Sequence, residues 1–220
     1  MADKDEIFTP RNGWTLLGAT LAVALLAWVI AAVNTGIAYA ALGMDGVPIM
    51  SGVVLLVVFG CLLAALNNRP WLAWLSALPA LFVLVGSVQY APELALDRRG
   101  VRERVVITAD SAEETGGNNH RYTLRREDGV VLEEKLGYDG SGSSYRVGQS
   151  IEVIRDPEGV VPVEDAATID PAGELDTLLM GAGGLSALTL LAGRRGHVLR
   201  RRDREREGGW AQPRPAGFPR

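Results

Sequence analysis

The sequence predicts a membrane protein of four transmembrane helices, with a small all-β module inserted between helices 3 and 4. Three observations predict this class. Four apolar runs, residues 14–33, 47–66, 71–90 and 177–193, punctuate a chain of 220 residues. One polar block, residues 91–176, separates the last two runs. Charge is also unevenly spread. The formal net charge is −4, yet residues 91–174 carry eighteen acidic and ten basic side chains, a net −8. Residues 194–220 carry nine arginines against three acids, a net +6.

The first three runs match the hydrocarbon thickness of a bilayer, since about twenty helical residues rise roughly 30 Å. None contains Asp, Glu, Lys, Arg or His. A core helix of a soluble protein usually keeps a polar stripe, so three stripe-free runs point to lipid. Pro79 lies inside the third run and predicts a kink, because it cannot donate to the preceding turn. The fourth run is short and holds Gly181, Gly183, Gly184 and Gly193. Glycine weakens helices in water, but small residues let helices approach closely in lipid. Gly181, Gly183, Gly184 and Ala187 are therefore candidates for a helix-packing face. The single cysteine, Cys61, falls within the second run and excludes an intrachain disulfide.

Orientation follows from cations near the span ends. Lys4 and Arg11 precede span one, Arg69 sits in the turn between spans two and three, and the arginine tail follows span four. These place the N-terminus (1–13) and the tail (194–220) in the cytoplasm and the 91–176 module outside, in the cell membrane. Trp14, Trp71 and Trp74 mark inner span ends, and Tyr39 and Tyr90 outer ones, as amphipathic rings prefer. Ala38-Tyr39-Ala40 has the form of a signal cleavage site. The acidic leader (Asp3, Asp5, Glu6) and the long run before it favour a retained span.

The module reads as about five strands in a small barrel or sandwich. Residues 101–108 place Val101, Glu103, Val105 and Ile107 on one face. Residues 121–126 and 130–135 flank Glu127-Asp128-Gly129, a hairpin signal because Asp-Gly tolerates positive φ. Residues 150–155 form another strand, closed by the turn Asp156-Pro157-Glu158-Gly159. Residues 160–163 are a candidate last strand. Segments 113–119 and 137–144 read as loops from their Gly, Ser and Asn content.

The run from Tyr145 through Gly148 to Asp156 and Pro157 resembles the Y-x-x-G-x-x-V-x-V-x-Y-D-P signature of a domain-of-unknown-function family. That family is common in actinobacterial membrane proteins, where a small β module sits beside transmembrane helices. Arg99-Gly100-Val101 and the Asp128-Gly129 hairpin fit its order. The resemblance covers roughly residues 98–165, with Arg155 in place of the usual aromatic and the second proline displaced to Pro162. It implies fold and location, with Tyr145, Gly148, Asp156 and Pro157 as a turn motif, and implies no reaction.

Chemistry is sparse. His120 and His197 are the two histidines, one on each side of the membrane in this topology, which leaves no imidazole pair for a metal. His120 reads as a solvated loop residue. Gly140-Ser141-Gly142-Ser143-Ser144 lacks the Lys and the strand-to-helix setting of a phosphate loop or nucleophile elbow. Glu133, Glu134, Asp156 and Glu158 show no calcium-loop spacing and read as a solvated acidic face. Spans free of ionisable groups disfavour active transport. Arg194, Arg195, Arg200, Arg201 and Arg202 anchor the last span and are candidates for anionic-lipid contact. A short tail tied to the bilayer is a poor nucleic-acid binder.

The expectation is a non-enzymatic membrane protein without cofactor or metal, presenting its module for envelope interaction or assembly with a membrane or envelope protein partner. The alternative is an accessory or passive subunit of a transport or signalling complex, acting through its helices.

Overall fold

The computed structural model describes residues 13–67, 71–112, 120–137 and 145–210, with side chains from 14 to 66 in the first segment and up to 198 in the last. Arg69, Pro70, residues 113–119 and 138–144 of the two expected loops, and the side chains of Arg200, Arg201 and Arg202 lie outside the described residues, while Gly137 ends a strand.

In chain order come α1 (Gly13–Ala40), α2 (Gly46–Asn67), a short α3 (Trp71–Leu75), α4 (Ala77–Arg99), strands β1 (Val101–Asp110), β2 (Arg121–Arg126), β3 (Val131–Gly137), β4 (Ser150–Arg155) and β5 (Glu164–Asp165), then α5 (Pro171–Trp210). Four helical stretches are long and apolar enough to cross a membrane: Trp14–Ala40, Gly46–Leu66, Trp71–Arg99 and Pro171–Val198. Their outward residues include Leu17, Leu21, Leu25 and Trp28 on α1, and Val54, Val57 and Val58 on α2. Apolar surface this continuous is costly in water and is solvated by lipid. The chain is a multi-pass membrane protein.

The contacts form two compact units. The first holds the chain up to Ala31, Gly52–Val83 and the chain from Leu179 onward. Here α5 meets α4 through glycine. A Cβ on Gly181 would stand 2.6 Å from the Val83 nitrogen and 2.8 Å from the Pro79 oxygen, and one on Gly184 would stand 2.9 Å from the Pro79 ring. Trp28 Nε1 donates to Ser186 Oγ at 3.0 Å, and Ser186 donates in turn to the Ala182 carbonyl at 2.9 Å. The expected kink is a break at Ser76, between α3 and α4. Pro79 has no N–H for the Leu75 carbonyl, so the ladder lapses there.

The second unit holds Ala32–Ser51 and Leu84–Leu178. Within it, Asn34 joins three helices: Nδ2 donates to Ser87 Oγ at 2.7 Å, and Oδ1 accepts from Ser51 Oγ at 2.8 Å. A buried amide satisfied on both ends fixes how these helix segments meet. The strands form one antiparallel sheet in the order β3-β2-β1-β4-β5. Val105, Ile107, Tyr122, Leu124, Leu136, Val153 and Val163 build the core on its inner face. A bulge between Ile107 and Ala109 shifts the register. It keeps Asp110 on the inner side, opposite Tyr122, where simple alternation after Ile107 would turn it outward.

Several boundaries move relative to the sequence reading. The third helix continues to Arg99, nine residues past the apolar run, because Ala91, Ala95 and Leu96 carry a buried seam onward. Leu96 and Ala95 pack with Ile154 and Val161. Residues 34–40 remain helical, since Asn34 spends its amide on other helices. The fourth helix starts six residues early, at Pro171, with Asp170 as its cap: Oδ1 accepts the Gly173 amide at 3.1 Å. The candidate strand 160–163 is not one. Its backbone serves the Asp156 turn, Val161 and Val163 fill cores from an irregular connection, and the last pairing falls on Glu164–Asp165.

Candidate functional site

The β module offers an inner side with a cleft and an outer side that is exposed on β1, β2 and β3 and covered on β4, where Ile154 packs against Leu96. The turn motif holds the two together. Gly148 adopts φ 89° and donates its amide to the Ile107 carbonyl at 2.8 Å, a conformation suited to glycine. Tyr145, three residues earlier, turns its ring edge-on to Tyr122 at 5.4 Å and donates its hydroxyl to Asp165 Oδ2 at 2.6 Å. Tyr145 thereby ties the 145–149 turn to the short edge strand β5.

Asp156 is the most heavily bonded carboxylate of the module. It is fully buried and accepts the amides of Glu158, Val160 and Val161 at 3.1, 3.1 and 3.0 Å. Arg99 Nη2 pairs with it at 2.8 Å, while Nη1 reaches Glu158. Burial pushes this carboxyl up, but the Val161, Glu158 and Val160 amides and the Arg99 charge outweigh it and hold the group below the ordinary carboxylate range. Pro157 opens the turn and Gly159, at φ 66°, closes it onto the Asp156 carbonyl. The motif residues thus do structural work. The Asp-Pro-x-Gly pattern announced a turn, but nothing local announced that its carboxylate meets a guanidinium 57 positions upstream.

His120 is a correction. It leads into β2, half-buried, with Nδ1 2.6 Å from Asp110 Oδ2 and its ring stacked on Tyr122 at 6.0 Å. Asp110 also accepts the Ala112 amide at 3.0 Å. Burial pushes Asp110 up, and the His120 hydrogen bond, the Ala112 amide and the imidazole charge hold it lower than usual. The Asp110–Tyr122 pairing made by the bulge brings this acid beside a histidine ten residues away, which loop composition cannot reveal. Ser111, next to the pair, accepts the Arg121 amide at 3.0 Å. His197 is exposed on α5.

The inner-side cleft encloses about 610 Å³ and is lined by Gln89, Pro92 and Glu93 of α4, Leu136 and Gly137 of β3, Tyr145, residues 162–165, Thr168 and Glu174. Its lining holds the carboxylates of Glu93, Glu164, Asp165 and Glu174, and no Lys or Arg. Asp165 is engaged by Tyr145 and the Ala167 amide, and Glu93 by the Asp170 amide. Among the described residues no cluster of His, Cys, Asp and Glu is arranged to hold a metal.

The outer side differs in sign. Arg102 and Arg104 on β1, Arg121 and Arg125 on β2 and Lys135 on β3 are all exposed there, with Glu133 and Glu152 the carboxylates among them. The ion pairs of the sheet use other cations: Arg99, His120, Arg126 and Arg155. Sequence reasoning counted this module as net acidic and missed the segregation. Strand alternation carried the signal, since 102/104 and 121/125 fall on the face opposite Val105, Ile107, Tyr122 and Leu124.

Of the helix-packing candidates, Gly181 is buried and, with Gly184, meets the neighbouring helix, while Gly183 has open space around it and Ala187 is exposed. Arg194 and Arg195 are exposed, and the Arg195 guanidinium lies over the Trp71 ring at 5.2 Å, a cation–π contact. No family model, curated protein or solved structure matches the chain.

Proposed function

We propose that this chain is a non-enzymatic integral membrane protein that presents its β module on the extracytoplasmic side for envelope interaction or assembly, with both termini in the cytoplasm. One observation carries the reading. The chain joins membrane-length helices to a sheet whose inner face carries its core, and whose other face, on β1, β2 and β3, carries exposed charges. Ile154 on β4 is covered by Leu96, but the exposed cations of β1, β2 and β3 are available to something else. The inside position of the tail is supported by its arginine excess and by Arg195 resting on Trp71, as a cation near the headgroups with an aromatic anchor would. Anionic lipid is the partner this proposes for the tail.

The accessory-subunit reading puts the work in the helices, with Gly181, Gly183, Gly184 and Ala187 as a close-contact face for a neighbouring span or a partner. Gly181 and Gly184 are engaged within their own unit, which favours the module over the helices as the working part.

A photo-cross-linker placed at Val106, on the outer side, tests the proposal in intact cells. A specific adduct is expected with the native chain and none when residues 101–165 are replaced by a Gly/Ser linker carrying the same cross-linker. Identical adducts from both chains would sink it.

A further inference from the structure

We infer that the outer side of the sheet binds a linear polyanion, an envelope polymer with repeating oxyanion groups, through Arg102, Arg104, Arg121, Arg125 and Lys135. The inference rests on the proposed presenting role and names the chemistry of its partner.

Four of the five cations are arginines, whose planar fork pairs with two oxygens of a carboxylate or phosphate at once. Alternate residues of a strand lie roughly 6.6 Å apart and neighbouring strands about 4.8 Å. The three adjacent strands β1, β2 and β3 therefore set out a grid at the spacing of charges along a polymer. Register keeps the grid from repelling itself. Arg104 stands opposite Glu152, Arg125 opposite Val106 and Val131, Lys135 opposite Thr123, and Arg121 opposite Gly137. No two cations are directly opposed, the arrangement that would destabilise the sheet. The acidic total of the module does not cancel this face. The cleft carboxylates sit on the inner side, among Leu136, Tyr145 and Val163, on the opposite side of the sheet from the five exposed cations. Among the described residues the five cations make no ion pair, the pairs there using Arg99, His120, Arg126 and Arg155.

The test uses the full chain in nanodiscs of neutral phosphatidylcholine. Gln replaces Arg200, Arg201, Arg202, Arg204 and Arg206 in every protein compared, so that the tail's contribution is lowered and the same in each. The probes are labelled linear polyphosphate and poly-L-glutamate. Both are expected to bind, with log affinity falling against log salt at a slope of about −3, and Arg102→Gln/Arg104→Gln/Arg121→Gln/Arg125→Gln is expected to weaken binding at least about tenfold and flatten the slope towards about −1. Glu133→Gln/Glu152→Gln is expected to tighten it. Should the fourfold variant misfold by thermal melting, this second variant decides, and no tightening overturns the inference. Equal binding by a folded fourfold variant overturns it too. So does binding that appears only when the nanodisc itself carries anionic lipid, which would assign the face to a membrane surface. Module-dependent cross-linking at Val106 without polyanion binding would remove this inference and leave the presenting role. Polyanion binding without module-dependent cross-linking would remove the presenting role instead.

Discussion

Three amides and a guanidinium converge on Asp156, and that concentration makes it the residue whose loss should matter most to the module. Asp156→Ala orphans the Glu158, Val160 and Val161 amides and leaves Arg99 with only exposed Glu158. The cost should be on the order of 2–4 kcal/mol, read as a lowered melting transition of the module in nanodiscs. The pH dependence has a definite sign. The folded-state pKa of Asp156 is depressed, so its stabilisation is complete above the unfolded carboxylate value and is lost as pH falls through the lower folded one. Melting of the native chain should therefore fall more steeply below about pH 4 than melting of Asp156→Asn. A pH profile parallel to that of the variant would refute this assignment. Tyr145→Phe removes one hydroxyl bond to Asp165 and keeps the edge contact with Tyr122, so it should cost about 1 kcal/mol. Motif residues were legible as a turn, since Asp-Pro-x-Gly and Tyr-x-x-Gly are local chemistry. Their long-range partners were not, because Arg99 and Asp165 are brought to them only by the order of strands.

Elements were legible in proportion to how far periodicity alone decides them. The second helix and strands β2 and β4 were read to within a residue, whereas the first, third and fourth helices run six or more residues beyond their apolar runs. Failures came where tertiary packing outvoted local preference, as in residues 91–99, where a polar composition hid the seam of Ala91, Ala95 and Leu96. Glycine showed the same division. The cluster at 181–184 announced close approach, but only helix phase decides which members face a neighbour. Gly181→Leu should overpack the contact with Pro79 and Val83 and cost about 1–3 kcal/mol, seen as earlier thermal aggregation in detergent. Gly183→Leu, with open space around it, should stay within about 0.5 kcal/mol of the native chain. Equal damage from both would mean that general helix chemistry, and not that contact, is being measured.

At the scale of the whole chain, span number was legible because bilayer thickness imposes a length on each apolar run. Orientation rests on charge placement and is open to a direct test. In a Cys61→Ser background, Glu158→Cys should label from outside intact cells with a membrane-impermeant maleimide, and His197→Cys should label only after permeabilisation. The reverse pattern would invert the topology. The charge segregation of the module escaped whole-chain counting, since net charge averages over two faces that only a folded sheet separates. The joint at Gly100 has a mechanical meaning as well. Helix passes into strand across this single residue, with the Leu96 carbonyl and Ile154 against it and Arg99 clamped to Asp156. A rod fixed to a plate with no play transmits torque. The sheet and the adjoining end of α4, which share one unit, therefore turn together. One alanine inserted between Arg99 and Gly100 adds about 100° of helical phase and breaks that transmission.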